Sequence, residues 1–303
     1  MLTNVKILGE NVKVKEDDRT EAKAIVVVNS DNEYSYQYLL DDRKWVKINK
    51  FPQSVGDICD IYEINNRVYV VDTKGISTLD NEFYKLPSGR EYSLCFSCLA
   101  GDDLLVFREC YEKPFCKLLD TKNKKISDFS FQTIMQQETK VFAVVYYLNQ
   151  FWIIGGKEPN YYDKDNCPEP VNTIQIYDPI LNTTSLSPLR MVQARSNHQV
   201  IVYKDKLFVF GGEEKPLSPL NSVEMYCPKT NKFVMMAPMK HARSNFACCR
   251  AGNLVYVIGG SYDFPESMEI YNLDTNVWTD GVDSPGFDCH LYLYACAVNN
   301  YIC

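Results

Sequence analysis

An apolar run ending in a glycine pair occurs three times in the second half of this 303-residue chain, at 151–156 (FWIIGG), 207–212 (LFVFGG) and 254–260 (LVYVIGG). The last two copies are preceded by the same tetrapeptide, Ala-Arg-Ser-Asn, at 194–197 and 242–245. Arg195 stands 16 residues before Gly211, and Arg243 stands 16 before Gly259. A strand and a Gly-Gly recurring about every 50 residues predict radially stacked four-stranded sheets.

The first half carries the same cassette with its glycines replaced, at 24–29, 66–72 and 102–108. Val71-Asp72 stands where Gly-Gly would be in the second of these. Each run is apolar on both faces, as the middle of a sheet sandwiched between neighbours requires. A polar loop and a hairpin signal follow. Tyr271 and Trp278 lie seven apart across Asp274-Thr275-Asn276, and the same interval holds for Tyr226 and Phe233, Tyr177 and Thr184, and Tyr38 and Trp45. These aromatics are expected to pack between sheets.

Gly-Gly, then a Tyr, then a Trp seven residues later resembles the kelch repeat over residues 22–302. Six cassettes imply an all-β, six-bladed kelch-type β-propeller. Residues 291–302 match an innermost strand but have no hairpin after them, whereas the first copy lacks an innermost strand of its own. The C-terminal strand is therefore expected to complete the first blade, which removes exposed sheet edges. Residues 1–20 are polar and charged and read as a linker, with 21–303 forming the propeller as a single domain. Many propellers of this family follow a BTB and a BACK domain, and neither fits within twenty residues.

Charge and motifs narrow the function. Lys and Arg number 32 against 39 Asp and Glu, a net −7, which argues against nucleic acid as a partner. No apolar run reaches a membrane span and the start has no signal-peptide core, so a cytoplasmic, reduced chain is expected. The twelve cysteines read as buried thiols rather than a disulfide framework. Cys95 and Cys98 have CxxC spacing, but on a strand they face opposite sides, which argues against joint zinc binding. His198, His241 and His290 are the only histidines, and the first two sit at different phases of the repeat. Glu213-Glu214 and Asp163 with Asp165 read as solvated loop acids. No catalytic motif appears, so neither enzyme activity nor a cofactor or metal is expected.

A binding role remains, with a protein or peptide as partner. From the last Gly to the phase-matched Tyr the gap is 21 residues after Gly156, 14 after Gly212 and 11 after Gly260. The longest loop, 157–170, offers Tyr161 and Tyr162 as contacts on the face where the long loops gather. By resemblance to kelch substrate receptors, Ser196, Asn197, Ser244 and Asn245 are polar contacts around the channel mouth on that face. Arg195 and Arg243 either join them or tie neighbouring blades together. Many such receptors hold acidic motifs with arginines one or two positions later, where Ser and Asn stand here, so a strongly acidic target is not expected at this mouth. The resemblance implies a substrate-recognition propeller like those of BTB-kelch adaptors of cullin-RING ubiquitin ligases, with cullin recruitment only if a longer form carries a BTB domain. The alternatives are a cytoskeletal (actin-associated) or scaffolding propeller and, last, a kelch-fold enzyme.

Overall fold

The computed structural model describes residues 22–29, 35–48, 57–80, 82–87, 95–108, 115–129, 142–157, 169–260, 263, 266–285, 292–300 and 302. The 1–20 segment, Tyr161, Tyr162 and His290 lie outside the described residues.

The described residues form strands and no helix. In chain order the strands are β1 (Ala24–Asn29), β2 (Ser35–Leu39), β3 (Lys44–Lys47), β4 (Ile58–Ile64), β5 (Arg67–Asp72), β6 (Gly75–Thr78), β7 (Phe83–Lys85), β8 (Cys95–Ala100), β9 (Asp103–Arg108), β10 (Phe115–Asp120) and β11 (Lys125–Asp128). They continue with β12 (Ala143–Tyr147), β13 (Gln150–Ile154), β14 (Thr173–Asp178), β15 (Thr183–Arg190), β16 (Gln199–Tyr203), β17 (Lys206–Phe210), β18 (Glu213–Lys215), β19 (Ser218–Pro219), β20 (Val223–Cys227) and β21 (Lys232–Met235). The last are β22 (Ala247–Ala251), β23 (Leu254–Ile258), β24 (Met268–Asn272), β25 (Val277–Asp280) and β26 (Leu293–Val298).

Six four-stranded antiparallel sheets make the blades of an all-β, six-bladed propeller of the kelch type. The chain falls into two compact units. One, within 130–245, holds the sheets β12-β13-β14-β15 and β16-β17-β20-β21 and the ribbon β18-β19. The other, 17–129 with 246–303, holds β26-β1-β2-β3, β4-β5-β6-β7, β11-β10-β9-β8 and β22-β23-β24-β25.

In the second unit, β26 pairs with β1 over six residues, from Ala24↔Val298 to Asn29↔Leu293. The Gln37 side chain extends the seam, donating to the Ile302 carbonyl at 2.5 Å and accepting from its N–H at 3.0 Å. The C-terminal strand thus completes the first blade, as the missing innermost strand predicts.

Second strands are apolar on both faces because both are covered. Every residue of β1 is buried, and so is β5 after its first residue. The expected hairpin partners are opposite each other in register: Tyr38↔Trp45, Tyr177↔Thr184, Tyr226↔Phe233 and Tyr271↔Trp278. One feature of these hairpins escaped the sequence reading. Asn182, Asn231 and Asn276 take left-handed φ of 51°, 51° and 58°. Each accepts a hydrogen bond from the Tyr five residues earlier: Tyr177 at 2.9 Å, Tyr226 at 3.0 Å and Tyr271 at 2.6 Å. Asn tolerates this backbone, and its amide oxygen pins the ring that fills the space between sheets.

The lost glycines of 66–72 also have a cause. Only Thr73 and Lys74 separate β5 from β6, and the buried Asp72 carboxylate accepts from the N–H of Lys74 at 2.6 Å and of Gly75 at 2.7 Å. A capped tight turn replaces the long loop, so no glycine pair is needed.

Deleting 287–303 should lower stability by about 5 kcal/mol or more, because it removes the buried Leu293, Cys296, Ala297 and Val298 and exposes the apolar strand they cover. Thermal melting should show the loss across the whole transition. A truncated chain that melts like the intact one would refute the seam.

Candidate functional site

The long-loop end of the 130–245 unit is organised around the two Ala-Arg-Ser-Asn segments. Arg195 is fully buried. Its Nη1 donates to the carbonyls of Gly211 at 2.6 Å and Ser222 at 3.3 Å. Its Nη2 donates to Ser222 Oγ at 3.2 Å and Glu224 Oε1 at 2.5 Å. Glu224, also fully buried, accepts from the N–H of Val192 at 2.7 Å and of Gln193 at 2.9 Å. Burial lowers the Arg195 pKa and the Glu224 charge opposes it. The 16-residue spacing from Arg195 to Gly211 is the reach of this side chain back to its own sheet.

The backbone of the same segment serves the preceding blade. Gly156 N–H donates to the Arg195 carbonyl at 2.9 Å, and one repeat later Gly212 N–H donates to the Arg243 carbonyl at 2.9 Å. The amide of each arginine donates in turn to the long loop, Arg195 to Val171 at 3.2 Å and Arg243 to Leu220 at 3.0 Å. A Cβ on Gly155 would sit 2.5 Å from the Arg195 carbonyl oxygen, and one on Gly212 2.5 Å from that of Ser196. Both glycines also have positive φ, of 60° and 97°. Glycine is required for close approach and for backbone conformation alike.

Arg195, Ser196, Arg243 and Ser244 are 0%, 0%, 0% and 3% exposed, which removes them from the expected partner contacts. Ser196 pairs by backbone with Glu213, and Ser244 Oγ donates to Glu213 Oε1 at 3.1 Å. The arginines take the alternative role of tying blades: each presents its backbone to the preceding glycine pair, and Arg195 also spends its guanidinium inside its own sheet. Glu213 is likewise not a solvated loop acid. It is 6% exposed and pairs with Lys157 at 3.3 Å. Nothing in its dipeptide with Glu214 distinguishes it; only its place one residue after Gly212 does.

Asn197 and Asn245 remain half-buried at the segment ends. They share left-handed φ of 53° and 56°, and Asn245 N–H donates to the Asn197 carbonyl at 3.4 Å. Neither side-chain Oδ1 takes a hydrogen bond from the described residues. His198 packs against both glycine positions, and burial together with the Arg195 charge pushes its pKa down to about 3, so it stays neutral at physiological pH.

The nearest approach to an acid–base cluster lies in the other unit. Tyr62 hydroxyl donates to Asp60 Oδ2 at 2.5 Å, Ser97 Oγ donates to it at 3.2 Å, and Ile61 N–H donates to Oδ1 at 2.9 Å. Burial raises Asp60 to about 6 and pushes the Cys98 thiol well up. Among the described residues no three His, Cys, Asp or Glu side chains group as metal ligands, and Cys59, Cys98, Cys116, Cys227, Cys248, Cys249 and Cys296 are free thiols. No helix among them is long and apolar enough to cross a membrane.

Residues 194–240 and 242–285 match the model of the Kelch motif. The chain is 32% identical over 111 residues to Kelch-like protein 7 of Mus musculus, covering 36% of this chain and 18% of that protein. It is 26% identical over 150 residues to Alpha-scruin of Limulus polyphemus (50% and 16%), and 27% over 203 residues to Kelch repeat and BTB domain-containing protein 12 of Homo sapiens (57% and 32%). Each match spans less than a third of the relative's own length. The solved structure of YjhT shares the fold, with a TM-score of 0.53 at 12% identity over 63% of this chain and 66% of that one. Residues 194–285 thus carry kelch motifs, and the chain resembles the kelch-repeat part of BTB-kelch proteins.

Two outcomes follow from this geometry. Arg195→Ala strands a buried Glu224 carboxylate and should cost about 3–5 kcal/mol in denaturant unfolding. An effect under 1 kcal/mol would show the ion pair to be dispensable. Asp60 titrates higher in the folded chain than in the unfolded one, so the folded state binds its proton more tightly. Stability should therefore be greatest below about pH 4 and decline towards about pH 6 from this group. Asp60→Asn should flatten that decline in melts between pH 4 and 7, and an unchanged slope would assign it to other groups.

Proposed function

We propose that this kelch-repeat domain is a protein-interaction module, the substrate-recognition propeller of an adaptor of the BTB-kelch type in a cullin-RING ubiquitin ligase. Its partner is a protein or peptide held on the long-loop end. The supporting observation is the pair Asn197 and Asn245, which occupy the same position in successive repeats. Their backbones are joined, and both carry side-chain oxygens that take no hydrogen bond from the described residues. An unpaired buried oxygen is costly, and a partner's N–H groups would relieve it. Tyr161 and Tyr162 of the longest loop supply aromatic anchors in this reading. The domain works in the cytoplasm, and cullin recruitment requires a BTB domain in a longer form of the protein. The domain performs no catalysis of its own and needs no cofactor.

A cytoskeletal role is the second reading, favoured by the match to Alpha-scruin over half of the chain. Co-sedimentation of the purified domain with filamentous actin separates the two, since saturable pelleting would favour the cytoskeletal reading.

The test of the first reading takes a partner retrieved by affinity purification and measures its binding by calorimetry. Asn197→Ala and Asn245→Ala should each weaken it by about 1 kcal/mol, roughly fivefold. Tyr161→Ala with Tyr162→Ala should weaken it by about 1–3 kcal/mol. Melting temperatures should stay within a few degrees. Unchanged affinity in all variants would move the site away from this end.

A further inference from the structure

The opposite end of the 130–245 unit breaks its own repeat pattern. Two turns meet there in each blade, one joining its first two strands and one joining its last two. In the β12–β15 blade these turns carry Leu148-Asn149 and 179–182. Pairing of Phe151 with Tyr177 sets them side by side, and Gln150 Nε2 donates across to Asp178 Oδ2 at 3.1 Å. Leu148, Ile180 and Leu181 stand exposed at 48%, 59% and 69%.

The other blades serve as controls. At the position of Leu148 they have Asn65, Gly101, Lys204 and Gly252. At the positions of Ile180-Leu181, the four blades whose turns have the same length carry Asp41-Asp42, Lys122-Asn123, Lys229-Thr230 and Asp274-Thr275, while the shorter β6–β7 turn has Leu79, packed against the core, and Asp80. Three aliphatics thus replace residues that are polar or glycine in turns of the same length. Leu148 does so at a φ of 51°, a conformation that disfavours leucine. Folding of the turn does not call for them. Asp178 Oδ1 accepts from the N–H of Ile180 at 2.9 Å and of Leu181 at 3.0 Å, whatever their side chains. An exposed apolar group that departs from both backbone preference and repeat pattern marks an interaction surface.

The adjoining blade supplies charge. Tyr147, next to Leu148, donates its hydroxyl to the Asp205 carbonyl of the neighbouring turn. That blade's two turns expose Lys204, Lys206, Lys229 and Lys232 against Asp205, four positive charges less one negative, in a chain whose net charge is −7. We propose that this end binds an acidic protein segment whose aliphatic or aromatic side chains cover Leu148, Ile180 and Leu181. The aliphatics are interrupted by Asn149, Asn182 and Asp205 and fixed on hydrogen-bonded turns. That spacing suits a protein segment better than a bilayer, which favours a continuous apolar tip. The surface is separate from the long-loop end and does not depend on the function assigned there.

The probe is a phage-displayed library of random 16-residue peptides selected on the intact chain at low salt, with enriched peptides synthesised and followed by fluorescence anisotropy. Enriched sequences should combine Asp or Glu with Leu, Phe or Trp. Ile180→Asn with Leu181→Thr should weaken them at least tenfold. Leu148→Asn should weaken them several-fold while melting at the same temperature or higher, because Asn suits the left-handed turn. Lys229→Glu with Lys232→Glu should weaken them and flatten the salt dependence, and Asn197→Ala with Asn245→Ala should leave them unchanged. The proposal is overturned if no acidic, apolar peptides are enriched, or if their affinity survives the Ile180 and Leu181 substitutions. It is equally overturned if the Asn197 and Asn245 variant loses them, or if the chain instead pellets with phosphatidylserine vesicles through the same turn residues.

Discussion

The hydrogen bond from the second glycine of one repeat to the arginine carbonyl of the next is the joint on which the long-loop end depends. It requires the Arg195 carbonyl to come within van der Waals contact of the preceding glycine pair, which only glycine permits at 155, and Gly212 meets the Ser196 carbonyl of its own blade as closely. It also turns the arginine segment so that the Arg195 guanidinium points back into its own sheet, where Glu224 and two carbonyls receive it. One segment therefore couples two blades, by its backbone to the blade before and by its side chain to the blade after. A buried arginine offers five donors in a fixed planar fork, where lysine offers three on a single nitrogen.

This coupling explains a pattern that is visible in the sequence but easily misassigned. Ala-Arg-Ser-Asn stands before the second and third Gly-Gly cassettes, and its fixed spacing links it to the cassette that follows. Its main-chain partner is the glycine pair of the cassette before. The first Gly-Gly copy has no such tetrapeptide ahead of it, and no glycine pair precedes it. In the first half of the chain both features are missing together, and at 66–72 an Asp-capped two-residue turn does the work instead.

The fold was legible because its signals are local and repeated: apolar runs, turn residues and an aromatic interval, each recurring at one phase. The C-terminal seam could be read from two complementary defects in that phase. The site was legible only in part. Repetition alone marks Ser and Asn of each tetrapeptide as contacts and leaves Arg open between contact and blade tie; in the fold Arg195, Ser196, Arg243 and Ser244 are buried, and the asparagines keep some surface. Glu224 gives no sequence signal, and Glu213 reads as a solvated loop acid, because their partners lie far away in sequence: Arg195 is 29 residues from Glu224, and Ser244 is 31 from Glu213. The Tyr–Asn tether was readable, since its members are always five apart, but its meaning depends on a left-handed turn that spacing alone does not reveal.

What every repeat shares is thus a guide to what every blade must do to pack, and what a single blade alters is a better guide to what it does besides. The two ends of the 130–245 unit differ in how freely such alterations can arise. At the long-loop end, loop backbone is threaded into the joints between blades, so a substitution near Gly212 or Glu213 is felt by the neighbouring blade. At the turn end, the 178–182 turn closes its own bonds within a few residues, the N–H groups of Ile180 and Leu181 both donating to Asp178 whatever their side chains. A turn that keeps its capping acid and its left-handed asparagine can change its two central residues with little consequence for the fold. The aliphatic pair at 180–181 uses that freedom, whereas Leu148 goes beyond it by occupying a backbone conformation better suited to asparagine or glycine. Leu148 shares its left-handed φ with Lys204 of the next blade, so what sets it apart is an exposed aliphatic where the other blades carry a polar residue or glycine, and that points to selection for the side chain itself.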